Sequence, residues 1–168
     1  MSADRAATIL ARFTATYSTF ASKLRSLPPG IAEDRQDRDS WTPAQIGCHV
    51  AMTNEWIAGV LTGSTPAAEP RPAGFTEQFN ASELPATEET FPRLVPPFPV
   101  SRDAALERLR TSSQHAMKAI AALTTDRGAG QCVRLEFGTL SLFELADFAA
   151  THMTRHVAQV DRTIAAKV

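Results

Sequence analysis

The chain has 168 residues, 43% hydrophobic and 21% charged, the balance of a soluble globular protein with room for one domain over residues 1–168. Seventeen basic against eighteen acidic residues leave a net charge of −1, so the basic surplus of a nucleic-acid-binding protein is missing, and no apolar run approaches the roughly 18 residues of a membrane span. An acid and two arginines interrupt MSADRAATILARF where a signal peptide would be apolar, and the two cysteines, Cys48 and Cys132, lack CxxC spacing; the expectation is a cytoplasmic protein with free thiols.

In chain order, the first predicted helix covers Asp4 to Leu27. Leu10, Phe13, Tyr17, Phe20, Leu24 and Leu27 follow at intervals of three and four, which lays them along one helical stripe. Pro28, Pro29 and Gly30 end it, and a polar stretch from Glu33 to Ser40 follows. The second helix opens with a capping box: Thr42 at the cap, Pro43 at the first helical position and Gln45 three residues after the cap. Ile46, Val50, Thr53, Ile57 and Val60 form its stripe, Gly63 closes it, and Trp41 is expected to staple its start.

Residues 64–100 contain eight of the eleven prolines, a density that forbids long helices and central strands. Phe75, Phe79, Leu84, Phe91, Leu94, Val95 and Phe98 make this an ordered connection packed on the helices and able to serve as a lid. The third helix runs from a Ser101 cap to about Leu123 on Leu106, Leu109, Ser113, Ala116, Ile120 and Leu123. Between 124 and 139 the piece Cys132 to Phe137 reads as an extended turn among glycines. A Ser141/Glu144 capping box opens the fourth helix, which continues through Leu145, Ala149, His152, Met153, His156, Val157, Val160 and Ile164. Four amphipathic helices bury their stripes only against one another, so the predicted fold is all-α, a four-helix bundle whose long Pro-rich connection lets helices two and three run parallel.

The candidate chemistry lies in the histidines. His152 and His156 are four residues apart, with Cβ atoms about 5–6 Å from each other on the apolar face of the last helix. Each buried imidazole needs partners for both nitrogens, and a metal ion satisfies one nitrogen on each. His49, on the flank of the second helix's stripe, reaches the same interior. Three imidazoles would leave a further coordination position open, as in catalytic zinc-type sites; a hydrogen-bonded core histidine is the alternative for each. His115 points away from its stripe and is expected at the surface. No GxSxG, P-loop or GxGxxG is present.

The segment WTPAQIGCHV, Trp41 to Val50, resembles the second-helix signature of the DinB/YfiT-like superfamily, and TLSLFELADFAATHMTRHVAQVDR resembles its last helix. The resemblance implies a DinB-like four-helix bundle, typically a homodimer, with one divalent transition metal, zinc or nickel, held by His49, His152 and His156. Gln159 falls where the family carries a glutamine that supports the site. The pair Gly47-Cys48 departs from the family's bulkier aliphatic residues; Gly47 would weaken packing by about 0.5–1 kcal/mol relative to Ala, and Cys48 points some 100° away from His49. The implied activity is that of a metal-dependent enzyme on a small-molecule substrate, either a transferase using a low-molecular-weight thiol or a hydrolase. Glu55, Glu144 and Asp147 are the carboxylates on the right helices, each explained equally by capping or surface pairing, and Arg155 is expected to be solvated or to pair with Asp147 or Asp161. The alternative function is a noncatalytic small-ligand-binding or dimerisation bundle with structural histidines.

Overall fold

The structure, a computed structural model, describes residues 2–80 and 92–166. Four long helices dominate it: α1 (Ser2–Ser26), α3 (Pro43–Thr62), α4 (Arg102–Ala121) and α6 (Leu142–Ala165). Two short helices, α2 (Pro29–Ala32) and α5 (Thr125–Gly130), and a 3-10 turn at Pro92–Leu94 join them. Among the described residues no helix is long and apolar enough to cross a membrane.

The local signals that start these helices are in place. Thr42 Oγ1 accepts from Gln45 N while the Gln45 side chain accepts from Thr42 N, and Ser141 and Glu144 form the same reciprocal pair. Ser101 accepts from Ala104 N. At the other end of α3, Gly63 takes the left-handed conformation (φ 86°) that terminates the helix. Arg127 of α5 then donates to the helix's last carbonyls, from Nε to Leu61 at 2.7 Å and from Nη2 to Val60 at 3.1 Å. Acceptors that a helix end would otherwise leave unpaired are thereby satisfied.

Pairs of side chains fix the helix directions. Gly47 lies against Ala105 and Asn54 donates to Ser113, so α3 and α4 run parallel. Arg12 reaches Asp147 and Lys23 reaches Asp161, so α1 and α6 are parallel too. Arg102, at the start of α4, donates to the Leu27 carbonyl at the end of α1, and His49 of α3 meets His152 of α6. The long 64–100 connection thus allows an order in which the second and third long helices point the same way. Phe13, Phe20, Leu24, Ile46, Ile57, Leu109, Ile120, Leu142, Leu145 and Met153 fill the space between the four helices, each contributing about 1.5–3 kcal/mol of apolar burial.

The chain is not purely helical. A three-stranded antiparallel sheet in the order β1-β2-β3 joins β1 (Ala68–Pro70), β2 (Gln131–Leu135) and β3 (Gly138–Ser141). The register pairs Ala68 with Val133 and Cys132 with Ser141. The extended turn expected at Cys132–Phe137 is therefore the central strand and its hairpin tip, Glu136-Phe137. Pro70 is tolerated because β1 is an edge strand.

The Pro-rich connection is laced to the helices in part. The Phe79 N–H donates to Glu144 Oε1 at 2.6 Å, Glu77 accepts from Ser141 Oγ at 2.5 Å and pairs with Arg5 at 2.7 Å, and Leu94 is buried. Val95 and Phe98, expected to pack inward, are instead 48% and 51% exposed; Leu94 and Pro96 are the residues of this stretch that turn inward. Leu84 and Phe91 lie outside the described residues. Gly47 is a second correction. A Cβ there would stand 2.7 Å from Leu24 Cδ2 and 3.8 Å from a Phe20 ring atom, so glycine permits the close approach of α3 to α1, and replacing it with alanine would crowd the core rather than fill it.

Candidate metal centre

His49 sits two turns into α3, and His152 and His156 are one turn apart on α6, which packs antiparallel to it. The structure brings together the three histidines expected to form a site, and the ligating atoms of all three lie within 4.8 Å of one another. His49 Nε2 is 3.2 Å from His152 Nε2, and His156 Nε2 is 3.0 Å from the same atom. His49 and His152 are 4% and 9% exposed; His156 is half-buried at the rim. His115 is exposed on α4 and takes no part.

The other ring nitrogens decide the tautomers. His49 Nδ1–H donates to the Leu94 carbonyl at 2.8 Å, and His156 Nδ1–H donates to Gln159 Oε1 at 2.6 Å. Each of these two neutral rings consequently turns an Nε2 lone pair toward the centre. His152 Nε2 faces both. A single N–H there cannot point at two lone pairs, so hydrogen bonding among the three rings leaves one close nitrogen pair unresolved. His152 Nδ1 is buried with no hydrogen-bond partner. Imidazole nitrogens bound to one ion at about 2.0–2.1 Å stand roughly 2.9–3.4 Å apart, a range that includes the two separations from His152 Nε2, while the His49–His156 pair lies within 4.8 Å. The donor set therefore fits a divalent cation.

Burial also keeps the rings neutral. It pushes the His49 imidazolium below its ordinary 6.5, with the Leu94 hydrogen bond working against the shift. His152 falls well below 6.5 through burial, reinforced by repulsion from His156, His49 and Arg155. His156 drops to about 3, again chiefly through burial, with His49 adding repulsion and Gln159 opposing. All three offer unprotonated nitrogens at neutral pH, the form that metals bind.

Aromatic side chains wall the cluster. The Trp41 ring centroid is 5.0 Å from that of His49, and Phe148 is 5.6 Å from His152. Phe137, from the hairpin tip, and Phe79, from the Pro-rich connection, pack on Phe148 at 5.4 and 6.1 Å. Trp41, expected as a staple, thus flanks a histidine. Leu94 acts through its main-chain carbonyl, which no residue pattern signals; Trp41 could have been found from its position one residue before a cap that leads to His49.

The remaining polar residues have other duties. Glu55 forms a two-pronged pair with Arg108 at 2.8 Å, Glu144 accepts from the N–H groups of Ser141 and Phe79, and Asp147 pairs with Arg12. Asp161 pairs with Lys23. Both cysteines are free and buried, and Cys48 Sγ accepts from Arg108 at 3.7 Å on the side of α3 that faces α4.

A family model described as the DinB superfamily matches residues 12–160. A search of the curated proteins and one of the solved structures return no match. The match spans most of the chain, which belongs to the DinB superfamily; its three-histidine group is compatible with metal binding.

Proposed function

We propose that this DinB-superfamily chain is a single four-helix-bundle domain that binds one divalent transition metal ion, zinc or nickel, through His49, His152 and His156, and works as a metal-dependent enzyme on a small-molecule substrate. The observation that carries the reading is the convergence of three Nε2 atoms while Leu94 and Gln159 occupy two of the opposite nitrogens. Bound there, the ion would supply Lewis acidity to a coordinated water or to the sulfur of a low-molecular-weight thiol.

The chain's own residues favour the thiol route. Hydrolysis ordinarily draws on a nearby protein base, and Glu55, Glu144 and Asp147 are committed to Arg108, to the α6 cap and to Arg12. Thiol transfer asks less of the protein: neutral imidazoles held in one orientation, and a wall that excludes water from one side. Leu94 and Gln159 supply the first, and Trp41 and Phe148 the second. The same reading takes the protein as a cytoplasmic homodimer, to be checked by sedimentation.

The test is a panel in which protein loaded with zinc or nickel meets low-molecular-weight thiols with electrophilic acceptors, and separately ester and amide substrates. Metal-dependent thiol consumption that disappears in His156→Ala supports the transferase. Hydrolysis alone would select the other enzyme class, and inactivity throughout with metal bound would favour a noncatalytic ligand-binding bundle.

A further inference from the structure

The stretch Arg93 to Phe98 runs back along α3, from Trp56 toward the helix start, and these contacts tie it there. The Arg93 guanidinium lies 5.2 Å from the Trp56 ring centroid, and the Leu94 carbonyl accepts from His49 Nδ1 at 2.8 Å. The Pro97 carbonyl accepts from Gln45 Nε2 at 3.2 Å, and Phe98 lies 3.8 Å from the Arg35 guanidinium. Val95 and Phe98 are exposed while Leu94 and Pro96 are buried, so hydrogen-bond and cation–π contacts seat the strap alongside two buried apolar side chains. Its seating depends on Arg35, Gln45 and Trp56, three residues that are not metal-ligand candidates.

We infer that this strap is a positioning element of the metal centre: Arg35, Gln45 and Trp56 seat it so that the Leu94 carbonyl holds His49 with Nε2 toward the other two histidines. The inference rests on the metal-binding reading above. A neutral imidazole with no acceptor at Nδ1 is free to carry its proton on Nε2, where it blocks the lone pair a metal needs. Strap seating and metal affinity are therefore coupled, and the coupling is reciprocal: loosening the strap weakens the metal, and the metal tightens the strap. No ligand is altered when the strap's anchors are changed, which separates the two roles experimentally.

Two variants test this. Gln45→Glu keeps a side-chain oxygen to accept from Thr42 N in the α3 cap but loses the N–H that Pro97 accepts. Phe98→Ala removes an exposed ring from beneath Arg35 and leaves the core untouched, so it remains informative if the first variant folds poorly. Zinc affinity would be read by competition with a chromophoric chelator, and amide hydrogen exchange followed at Arg93, Leu94, Val95 and Phe98 with and without zinc. The expected result is zinc binding weaker by about tenfold in Gln45→Glu, the low end of what loss of a ligand's outer partner costs, a smaller loss in Phe98→Ala, and slower strap exchange in the parent when zinc is present. Gly128→Ala, a packing change at α5, should leave zinc affinity at the parent value. Variants that bind zinc like the parent while their strap exchanges faster would overturn the coupling alone. An equal loss in Gly128→Ala would also overturn it, by assigning the effect to general instability. A parent that binds no zinc would overturn the metal reading and the strap's role with it.

Discussion

Acidifying the metal-free protein from pH 8 to pH 5 should lower its stability, and His156 is the residue to follow. Its imidazolium is pushed from 6.5 to about 3 by burial, with His49, Arg155 and Arg162 adding repulsion and Gln159 opposing. Between those two values the unfolded chain binds a proton that the folded chain does not, so stability is complete above 6.5 and is lost as pH falls. pH 5 lies 1.5 units below the ordinary 6.5 of the unfolded histidine, which at 1.36 kcal/mol per unit amounts to about 2 kcal/mol. His49 and His152 act in the same direction. Carboxyls held low by hydrogen bonds, Asp37 on the Asp39 and Ser40 N–H groups and Glu107 on Arg110, contribute only at lower pH, through their ordinary 3.8 and 4.5. The assay is urea unfolding in a strong chelator at both pH values, for the parent and for His156→Gln, with the slope checked for constancy. The difference between pH 8 and pH 5 should shrink by about 2 kcal/mol in the variant. An equally large difference in both proteins would refute the claim that His156 stays neutral in the folded chain.

Three further outcomes are expected. Gly128→Ala would drive a Cβ into three Phe143 ring atoms, two of them at 2.6 Å and the third nearer still, and calorimetry should show a loss of about 1–3 kcal/mol, the usual cost of overpacking. Glu144→Ala leaves the Ser141 and Phe79 N–H groups without their carboxylate acceptor, so chemical denaturation should report about 3 kcal/mol, the range for losing charged hydrogen bonds at a buried cap. Cys48→Ala should leave metal affinity unchanged in a chelator competition, because that sulfur faces Arg108 on α4.

Much of this arrangement is legible in the sequence, and the exceptions share a cause. The capping boxes at Thr42 and Ser141 depend on residues three apart, and the apolar stripes on neighbours three and four apart, so local order suffices to place α3 and α6. The His152/His156 pair is legible for the same reason. His49 required only that α3 pack against α6. What escaped depends on contacts distant in the chain. β1 is three residues long, ends in a proline and pairs with a strand more than sixty residues away, so nothing in its own sequence marks it. Gly47 reads as a weakness until α1 is known to approach it, where an added Cβ would push against the buried Leu24 side chain. The Leu94 carbonyl is main chain, common to every residue, and only the path of the strap gives it a role. Val95 and Phe98 look like core by composition and are exposed, because Leu94 and Pro96 turn inward between them and backbone and cation–π contacts help seat the segment.

Metal content bears most directly on the three-histidine centre. Protein purified without a histidine tag should contain about one divalent transition metal ion per chain by plasma mass spectrometry, the occupancy of a single imidazole site, and a His152→Ala/His156→Ala double variant should contain almost none. Parent protein that stays well below that ratio after chelator stripping and reloading with zinc or nickel would contradict the centre and leave the three imidazoles as hydrogen-bonded core residues.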